Sequence, residues 1–164
     1  MAYRPRTNHS DAYYEKNHII VSWDKKLSTG IDMLDNQHKK LVAMTNQLYR
    51  ACIRGGDSRD AVFKETMSQM VEYVRKHFAT EQELFVRVKY PKAAEHKLEH
   101  DNLIKKILDT AKDYADDRNS AANEFVRSLK DWIVSHIGHS DRLYGIYVAE
   151  QKKKGLLNSR DISG

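Results

Sequence analysis

The chain has few of the residues that interrupt helices or form covalent cross-links: seven glycines, two prolines and one cysteine in 164 residues. A single cysteine, Cys52, excludes an internal disulfide framework. Because Cys52 falls on an apolar helical stripe, we expect its thiol to be buried and structural rather than reactive. The scarcity of glycine and proline favours helices over most of the chain, and the length favours one domain with one core.

Long apolar runs are also absent. No stretch of about 18 apolar residues occurs, so we expect no membrane-spanning helix. The beginning of the chain is polar and charged, so we expect no secretory signal peptide and take the cytoplasm as the default compartment. The net charge is +5, but the positive excess lies mostly in residues 152–164. A nearly neutral body predicts no nucleic-acid partner.

The pattern of polar and apolar residues divides the chain into three parts. Residues 1–18 are predicted to be a flexible polar arm whose two histidines face solvent. Residues 151–164 are predicted to be a basic C-terminal tail that is solvated and frayed. Residues 19–150 form the folded part. Within it, residues 19–36 carry short apolar patches, and we expect them to wrap over one end of a helical bundle with Trp23 as their anchor.

Four segments show apolar residues at the three- and four-residue spacing of a helix with one buried face. They run from about residue 35 to 54, from 57 or 58 to about 88, from about 91 to 114, and from about 121 onward, the last continuing with a distortion through Tyr147. Asp35 or Asn36 is the expected N-cap of the first helix. Because the helices are long and the loops short, the sequence predicts an all-α fold. Its architecture is an up-down-up-down antiparallel four-helix bundle with an irregular N-terminal arm.

Seven polar side chains in or beside these apolar stripes have spacings suited to metal ligands. They are His38, His77, Glu81, His96, His100, His136 and Asp141. Residues four apart project from one helix face, so two of the helices each offer a pair of ligands. Burying so much polarity in a small core is unfavourable unless a partner neutralises it, and a metal cluster is the simplest such partner. An imidazole-rich set suits iron, zinc or copper better than calcium or magnesium.

The number of ligands predicts two metal ions. One structural zinc needs about four ligands, whereas seven suit two ions that share bridging groups. Glu81 and Asp141 are the bridging candidates because a carboxylate has two oxygens, which leaves the histidines as terminal ligands. On an ideal helix, Asp141 would lie about 140° from His136. Both reach one cluster only if the helix widens or bends, and a π-bulge around Gly138 would suit. His139 is the rival ligand.

The motifs around these residues resemble the hemerythrin family, and specifically its single-domain bacteriohemerythrins. The matching stretches are DNQH ending at His38, HFATE from His77, HKLEH from His96 and HIGHSD from His136, and the resemblance spans about residues 19–150. It implies two iron ions, Fe2+ or Fe3+, with an oxo or hydroxo bridge. In that arrangement one iron is held by His96, His100 and His136, the other by His38 and His77, and both are bridged by Glu81 and Asp141.

The resemblance also implies reversible O2 binding at the iron held by His38 and His77, which would keep one open position. By position in the family pattern, the O2 pocket is lined by Leu41, Phe78, Leu103, Ile104, Trp132, Ile137 and Tyr144. The expected role is oxygen carriage, storage or delivery without catalysis, with O2 as ligand and a receiving protein as a further partner. Two alternatives stay open: an O2, NO or redox sensor acting through a partner, and a di-iron oxidase or peroxidase. The nitrogen-rich ligand set disfavours the enzyme, since catalytic di-iron bundles use more carboxylates.

Overall fold

A computed structural model describes residues 18–54, 56–114 and 118–162 of the chain. The predicted polar arm, apart from His18, lies outside these residues. Within them the chain forms, in order, α1 (Asp32–Arg54), α2 (Gly56–Arg87), α3 (Ala93–Asp113), α4 (Arg118–Ser135) and α5 (Arg142–Lys153). A π-helix at His136–Asp141 joins α4 to α5, so that these segments make one long, locally widened helix. Two short 3-10 helices lie at Lys25–Leu27 and Ser159–Asp161.

The long helices form the predicted bundle. α1 packs against α2 and α4, and α3 packs against the same two helices, so each helix lies beside its neighbours in the chain. The connections are short, consisting of residue 55, residues 88–92 and residues 114–117. This arrangement confirms the prediction of an all-α, up-down-up-down four-helix bundle. None of the described helices is long and apolar enough to cross a membrane.

The first helix begins at Asp32 rather than near residue 35. Asp35 therefore lies inside the helix and is not its N-cap. The Asp35 carboxylate accepts hydrogen bonds from the amide and the hydroxyl of Thr29, both at 2.8 Å, and from the hydroxyl of Ser28 at 2.5 Å. These bonds tie the incoming chain to the first turn of α1. Asp35, which the sequence predicts as an N-cap, therefore binds the segment that precedes α1.

Residues 19–31, called the strap below, run along the side of the bundle instead of wrapping over its end. Near its beginning, the side-chain oxygen of Asn46 in α1 accepts hydrogen bonds from the amides of Ile20 (2.9 Å) and Val21 (3.1 Å). The Asn46 amide nitrogen in turn donates to the carbonyl oxygen of Val21 at 2.8 Å. One buried asparagine thus gives the strap the backbone partners that a strand neighbour would otherwise supply.

The far end of the strap contacts the π-helix and α5. Trp23, the expected anchor, is only half-buried, whereas Leu27 is 6% exposed. Leu27 lies against Gly138, where an added Cβ would be 3.5 Å from the Leu27 Cδ2 atom. The Thr29 backbone passes so close to Gly145 that a Cβ there would lie 2.0 Å from the Thr29 carbonyl oxygen. Trp23 is therefore not the buried anchor of the strap; Val21, Leu27 and Ile31 are its most buried apolar side chains, at 5–6% exposed.

The buried apolar residues form two clusters that flank a polar layer. The larger cluster includes Leu41, Phe78, Leu103 and Ile137, and the smaller includes Leu34, Leu84, Phe85 and Tyr144. In each helix the predicted metal ligands lie in sequence between members of the two clusters, as His38 does between Leu34 and Leu41. Cys52 only packs against the larger cluster and is half-buried, so the expectation of a buried thiol is wrong.

The C-terminal tail is not frayed over the residues that the structure describes. α5 extends to Lys153, beyond the expected end of the fourth helix near Tyr147. After it, Leu157 and Ile162 are partly buried and pack against the smaller apolar cluster. Asn158 caps the turn at Ser159–Asp161 with a reciprocal capping box. Two aliphatic side chains among the charges hold this segment on the bundle.

Candidate metal centre

The seven predicted ligands meet in the polar layer, and each is between 0% and 3% exposed. Their ligand atoms form two groups, and within each group all atoms lie within 4.8 Å of one another. One group comprises Glu81, His96, His100, His136 and Asp141, and the other comprises His38, His77 and Glu81. Metal–ligand bonds of about 2.0–2.2 Å place opposite ligands roughly 4 Å apart. Each group therefore has the dimensions to surround one ion.

Glu81 faces both groups with different oxygens. Its Oε1 atom lies 3.5 Å from Nε2 of His38 and 3.5 Å from Nε2 of His77. Its Oε2 atom lies 3.0 Å from Nε2 of His100 and 3.6 Å from Nε2 of His96. A carboxylate that presents one oxygen to each of two sets of nitrogens is arranged as a bridge between two ions.

Asp141 is placed in the same way. Its Oδ2 atom lies 3.1 Å from Nε2 of His38, and its Oδ1 atom lies 2.8 Å from Nε2 of His96 and 3.3 Å from Nε2 of His136. The predicted widening of the helix is confirmed, because the π-helix brings His136 and Asp141 to one side of the chain. His139, the rival ligand, is exposed and lies outside the cluster.

Several atoms of the cluster are left without partners by the protein. Both oxygens of Glu81, both oxygens of Asp141 and Nε2 of His96 are buried and lack a hydrogen-bond partner of acceptable geometry among the residues that the structure describes. An unsatisfied buried polar atom costs about 1–3 kcal/mol, and more when it is charged. Cations between the two carboxylates would satisfy these atoms together. The residues present therefore fit a pair of metal ions of the nitrogen- and oxygen-binding class.

Pairs of imidazole nitrogens also face each other across helices. Nε2 of His38 lies 3.1 Å from Nε2 of His77, and Nε2 of His100 lies 3.0 Å from Nε2 of His136. Two nitrogen lone pairs at this distance repel each other unless a proton or a cation lies between or beside them. The same approach is natural for two ligands of one ion. This geometry therefore agrees with the division into two groups.

The metal-free layer balances its own charge. Burial alone would raise the pKa of Glu81 and of Asp141, but the surrounding imidazoles hold both pKa values well below their usual range. Burial alone would lower the pKa of His38 and His136, but interactions with the carboxylates raise it to about 9 and about 10 respectively. At His77 burial prevails and lowers the pKa to about 4. At neutral pH an entering cation therefore displaces protons from His38 and His136.

Two outer contacts that the helical spacing does not predict hold ligand imidazoles from behind. Nδ1 of His136 lies 2.5 Å from an oxygen of Glu99, and Nδ1 of His77 lies 2.7 Å from the side-chain oxygen of Gln37. Glu99 also accepts a hydrogen bond of 2.8 Å from the hydroxyl of Ser140. The hydrogen bond with His136 is the main cause that lowers the pKa of Glu99 to about 2. Such contacts fix the orientation and tautomer of a ligand histidine.

The Hemerythrin HHE cation binding domain family matches residues 29–145, a range that includes the whole cluster. The chain belongs to the hemerythrin family. It is 29% identical over 137 residues to a bacteriohemerythrin of Stenotrophomonas maltophilia, covering 84% of each chain. It is 31% identical over 125 residues to a bacteriohemerythrin of Clostridium acetobutylicum, covering 74% of this chain and 96% of the relative. A crystal structure of a hemerythrin variant matches it with a TM-score of 0.69 at 27% identity, over 80% of this chain and 98% of that chain.

Membership of the hemerythrin family gives the chain its general function, which is O2 binding at non-haem iron. The family implies a di-iron centre, and the cluster of histidines and carboxylates is able to bind metal.

The residues predicted to line the hemerythrin O2 pocket lie on both sides of the polar layer. Six belong to the larger apolar cluster or pack against it: Leu41, Phe78, Leu103, Ile104, Trp132 and Ile137. Tyr144 belongs to the smaller cluster. The ring of Phe78 stacks on His100 at 3.7 Å, and that of Trp132 stacks on His136 at 4.2 Å. These aromatic rings wall the cluster, and their role in an O2 pocket stays a prediction.

Proposed function

We propose that this hemerythrin binds O2 reversibly at two iron ions and serves as an oxygen carrier, store or delivery protein. In this assignment one iron is bound by His96, His100 and His136, the other by His38 and His77, and the bridges are Glu81, Asp141 and an oxo or hydroxo group. The observation that carries the proposal is the position of Glu81, which turns one oxygen toward each group of imidazoles.

The two iron sites would differ in the number of protein ligands. One has three imidazoles and the other has two, while both share the carboxylates. The site of His38 and His77 therefore has one position fewer filled by protein, and we assign O2 to it. When bound, the iron pair supplies the two electrons that O2 takes up and gives back on release.

The surroundings of the site favour release of O2 over protonation of the reduced oxygen and its loss as peroxide. Apolar clusters lie on both sides of the polar layer, and they exclude the water that would deliver protons. The smaller cluster includes the hydroxyl of Tyr144, which is fully buried and has no hydrogen-bond partner among the described residues. Burial raises the pKa of Tyr144 above its ordinary value, so its phenol is a poor proton donor. This supports a binding protein rather than an oxidase or peroxidase.

The test is an O2 titration of the reduced, iron-loaded protein, followed both by visible absorption and by an oxygen electrode. We expect uptake to saturate at about one O2 per two irons, and we expect the absorption change to reverse when O2 is removed under argon. The measurement is then repeated with an excess of a mild reductant. Continued O2 consumption under reductant would contradict the proposal and favour an oxidase or peroxidase.

A matched pair of histidine variants links this result to the assigned residues. His136→Ala removes an assigned ligand, whereas His139→Ala removes an exposed histidine of the same π-helix. We expect His136→Ala to lose iron and O2 uptake and His139→Ala to retain both. Equal behaviour of the two variants would show that the cluster is misassigned. Preserved O2 binding together with an O2-dependent gain of affinity for another protein would favour the sensor.

A further inference from the structure

Each group of imidazoles contains one histidine that a second residue contacts through Nδ1, on the side away from the cluster. In the group of three imidazoles this histidine is His136, and its partner is Glu99 at 2.5 Å. In the group of two it is His77, and its partner is Gln37 at 2.7 Å. Nδ1 of His38 and of His100 is buried without a hydrogen-bond partner among the described residues.

The two outer partners differ in charge and in how each is held. Glu99 reaches from α3 to the π-helix, where the hydroxyl of Ser140 donates to its two oxygens at 2.8 and 3.1 Å. Gln37 lies in α1, and its backbone carbonyl oxygen accepts a hydrogen bond of 2.9 Å from the hydroxyl of Tyr73 in α2, which holds the Gln37 backbone beside α2. A carboxylate carries a negative charge, whereas an amide of nearly the same shape carries none.

This difference has a predictable effect on a bound metal. An imidazole whose N–H is hydrogen-bonded to a carboxylate gains negative charge on the ring and becomes a stronger electron donor through its other nitrogen. A stronger donor stabilises the more highly charged oxidation state of the metal. An amide at the same place also fixes the orientation of the ring but adds little to the electron donation from the imidazole to the metal. The two sites thus receive different electronic support from outside the cluster.

We propose that Glu99 and Gln37 are positioning residues that make the two irons unequal. Glu99 makes the iron of His96, His100 and His136 the one that is more easily oxidised, and Gln37 leaves the iron of His38 and His77 the one that more readily stays ferrous. The inference rests on the proposed di-iron function and deepens it. It implies that the iron assigned to O2 is protected from loss of its electron by the neutral amide behind His77.

The test is a pair of isosteric exchanges, Glu99→Gln and Gln37→Glu, together with the double exchange. Each keeps an oxygen that can accept from the imidazole N–H and changes only the charge. The two one-electron midpoint potentials of the iron-loaded protein are measured by redox titration, with iron content and the thermal unfolding midpoint measured on the same samples. Glu95→Gln is the matched control, because it removes the same charge from an exposed position on α3 that lies outside the set of imidazole contacts.

Outer partners of ligand histidines typically change metal affinity by roughly 10–100-fold. If that change falls on one oxidation state, each factor of ten corresponds to about 59 mV in a one-electron step. We expect Glu99→Gln to raise the lower midpoint potential and Gln37→Glu to lower the upper midpoint potential. Each exchange should therefore reduce the difference between the two potentials. The double exchange should move both midpoints, and Glu95→Gln should move neither. If the two residues have only a structural role, the exchanges will lower the thermal unfolding midpoint without changing the potentials. Glu99→Asp keeps the charge and should therefore leave the lower midpoint potential at its wild-type value.

Failure of this inference is distinguishable from failure of the proposed function. Wild-type protein without two irons or without reversible O2 uptake would refute the function itself. Wild-type protein with both properties, but with midpoints that Glu99→Gln and Gln37→Glu leave unchanged, would overturn the inference alone. If Glu99→Gln does not retain iron, Gln37→Glu decides the question, since a lowered upper midpoint supports the inference and an unchanged one refutes it.

Discussion

Replacing Gly145 with alanine should push the strap away from the metal-bearing end of the bundle. A Cβ atom at position 145 would lie 2.0 Å from the carbonyl oxygen, 2.8 Å from the carbonyl carbon and 3.1 Å from the Cα atom of Thr29. Contacts below 3.0 Å are essentially never seen, so the two backbones must separate by about 1 Å. The atoms of Thr29 in this contact belong to the backbone and cannot move aside as the end of a flexible side chain could. The displacement therefore falls on the backbone of α5 or of the strap.

The free-energy cost of this displacement comes from overpacking and from weakened hydrogen bonds to Asp35. Overpacking a close contact typically costs about 1–3 kcal/mol, and each weakened hydrogen bond to a charged group adds about 1.5–3 kcal/mol when it is lost completely. The Thr29 amide and hydroxyl are both bound to the carboxylate of Asp35. Against this, alanine gains about 0.5–1 kcal/mol over glycine inside a helix. With partial loss of the Asp35 bonds, we expect a net destabilisation of about 2–4 kcal/mol.

The assay is urea unfolding of the metal-free protein, with Gly138→Ala as the matched control. Gly138 lies in the same helical stretch and against the same strap, but its added Cβ would make an ordinary 3.5 Å contact with Leu27. Gly138→Ala should therefore change the free energy of unfolding by less than about 1 kcal/mol. If Gly145→Ala proves as stable as wild type, the strap does not pass Gly145 as described.

The cluster and the tail give three further expectations. Glu81→Ala should abolish binding of both irons, whereas Glu83→Ala, an exposed change on the same helix, should leave the iron content intact; loss of only one iron from Glu81→Ala would argue against a bridge. In the metal-free protein the pKa of His38 is about 9 and that of His136 about 10, against an ordinary value of 6.5. The stability that their protonation supplies is therefore complete below about pH 6.5 and is lost as the pH rises through 9 and 10. Urea unfolding across this pH range should show the loss of stability in metal-free protein but not in iron-loaded protein. The same pH dependence of the unfolding free energy in both would contradict this expectation. Deletion of residues 155–164 should lower the free energy of unfolding by about 1–3 kcal/mol, through the loss of two partly buried aliphatic side chains. It should not alter the iron absorption bands; a changed spectrum would show that the tail supports the cluster.

The bundle and the cluster were accessible from the sequence because both depend on spacing along single helices. His77 and Glu81 lie one turn apart on an apolar stripe, and that stripe by itself predicts a buried polar pair. The hemerythrin resemblance favoured Asp141 over His139 as the ligand, and the five-residue step from His136 to Asp141 then predicted the π-helix, since a regular helix would turn Asp141 away. Such inferences need no knowledge of how the helices pack.

Contacts that depend on the register between helices were not predictable in this way. Glu99 lies off the buried stripe, and its bond to His136 spans 37 residues of sequence. Only the packing of α3 on the π-helix brings the two together. Likewise, nothing in the local pattern shows that Asp35 fastens the strap from within α1. The spacing of Leu157 among charged residues is also too weak a signal to predict that the tail packs on the bundle.

Anomalous diffraction at the iron absorption edge, from a crystal of the iron-loaded protein, would locate the metal ions without reference to any relative. We expect two strong peaks in the polar layer. One should lie among the imidazoles of His96, His100 and His136, the other beside His38 and His77, and the carboxylates should lie between them. A single peak, or two peaks of which one lacks the assigned imidazoles, would contradict the di-iron assignment on which the proposed O2 binding depends.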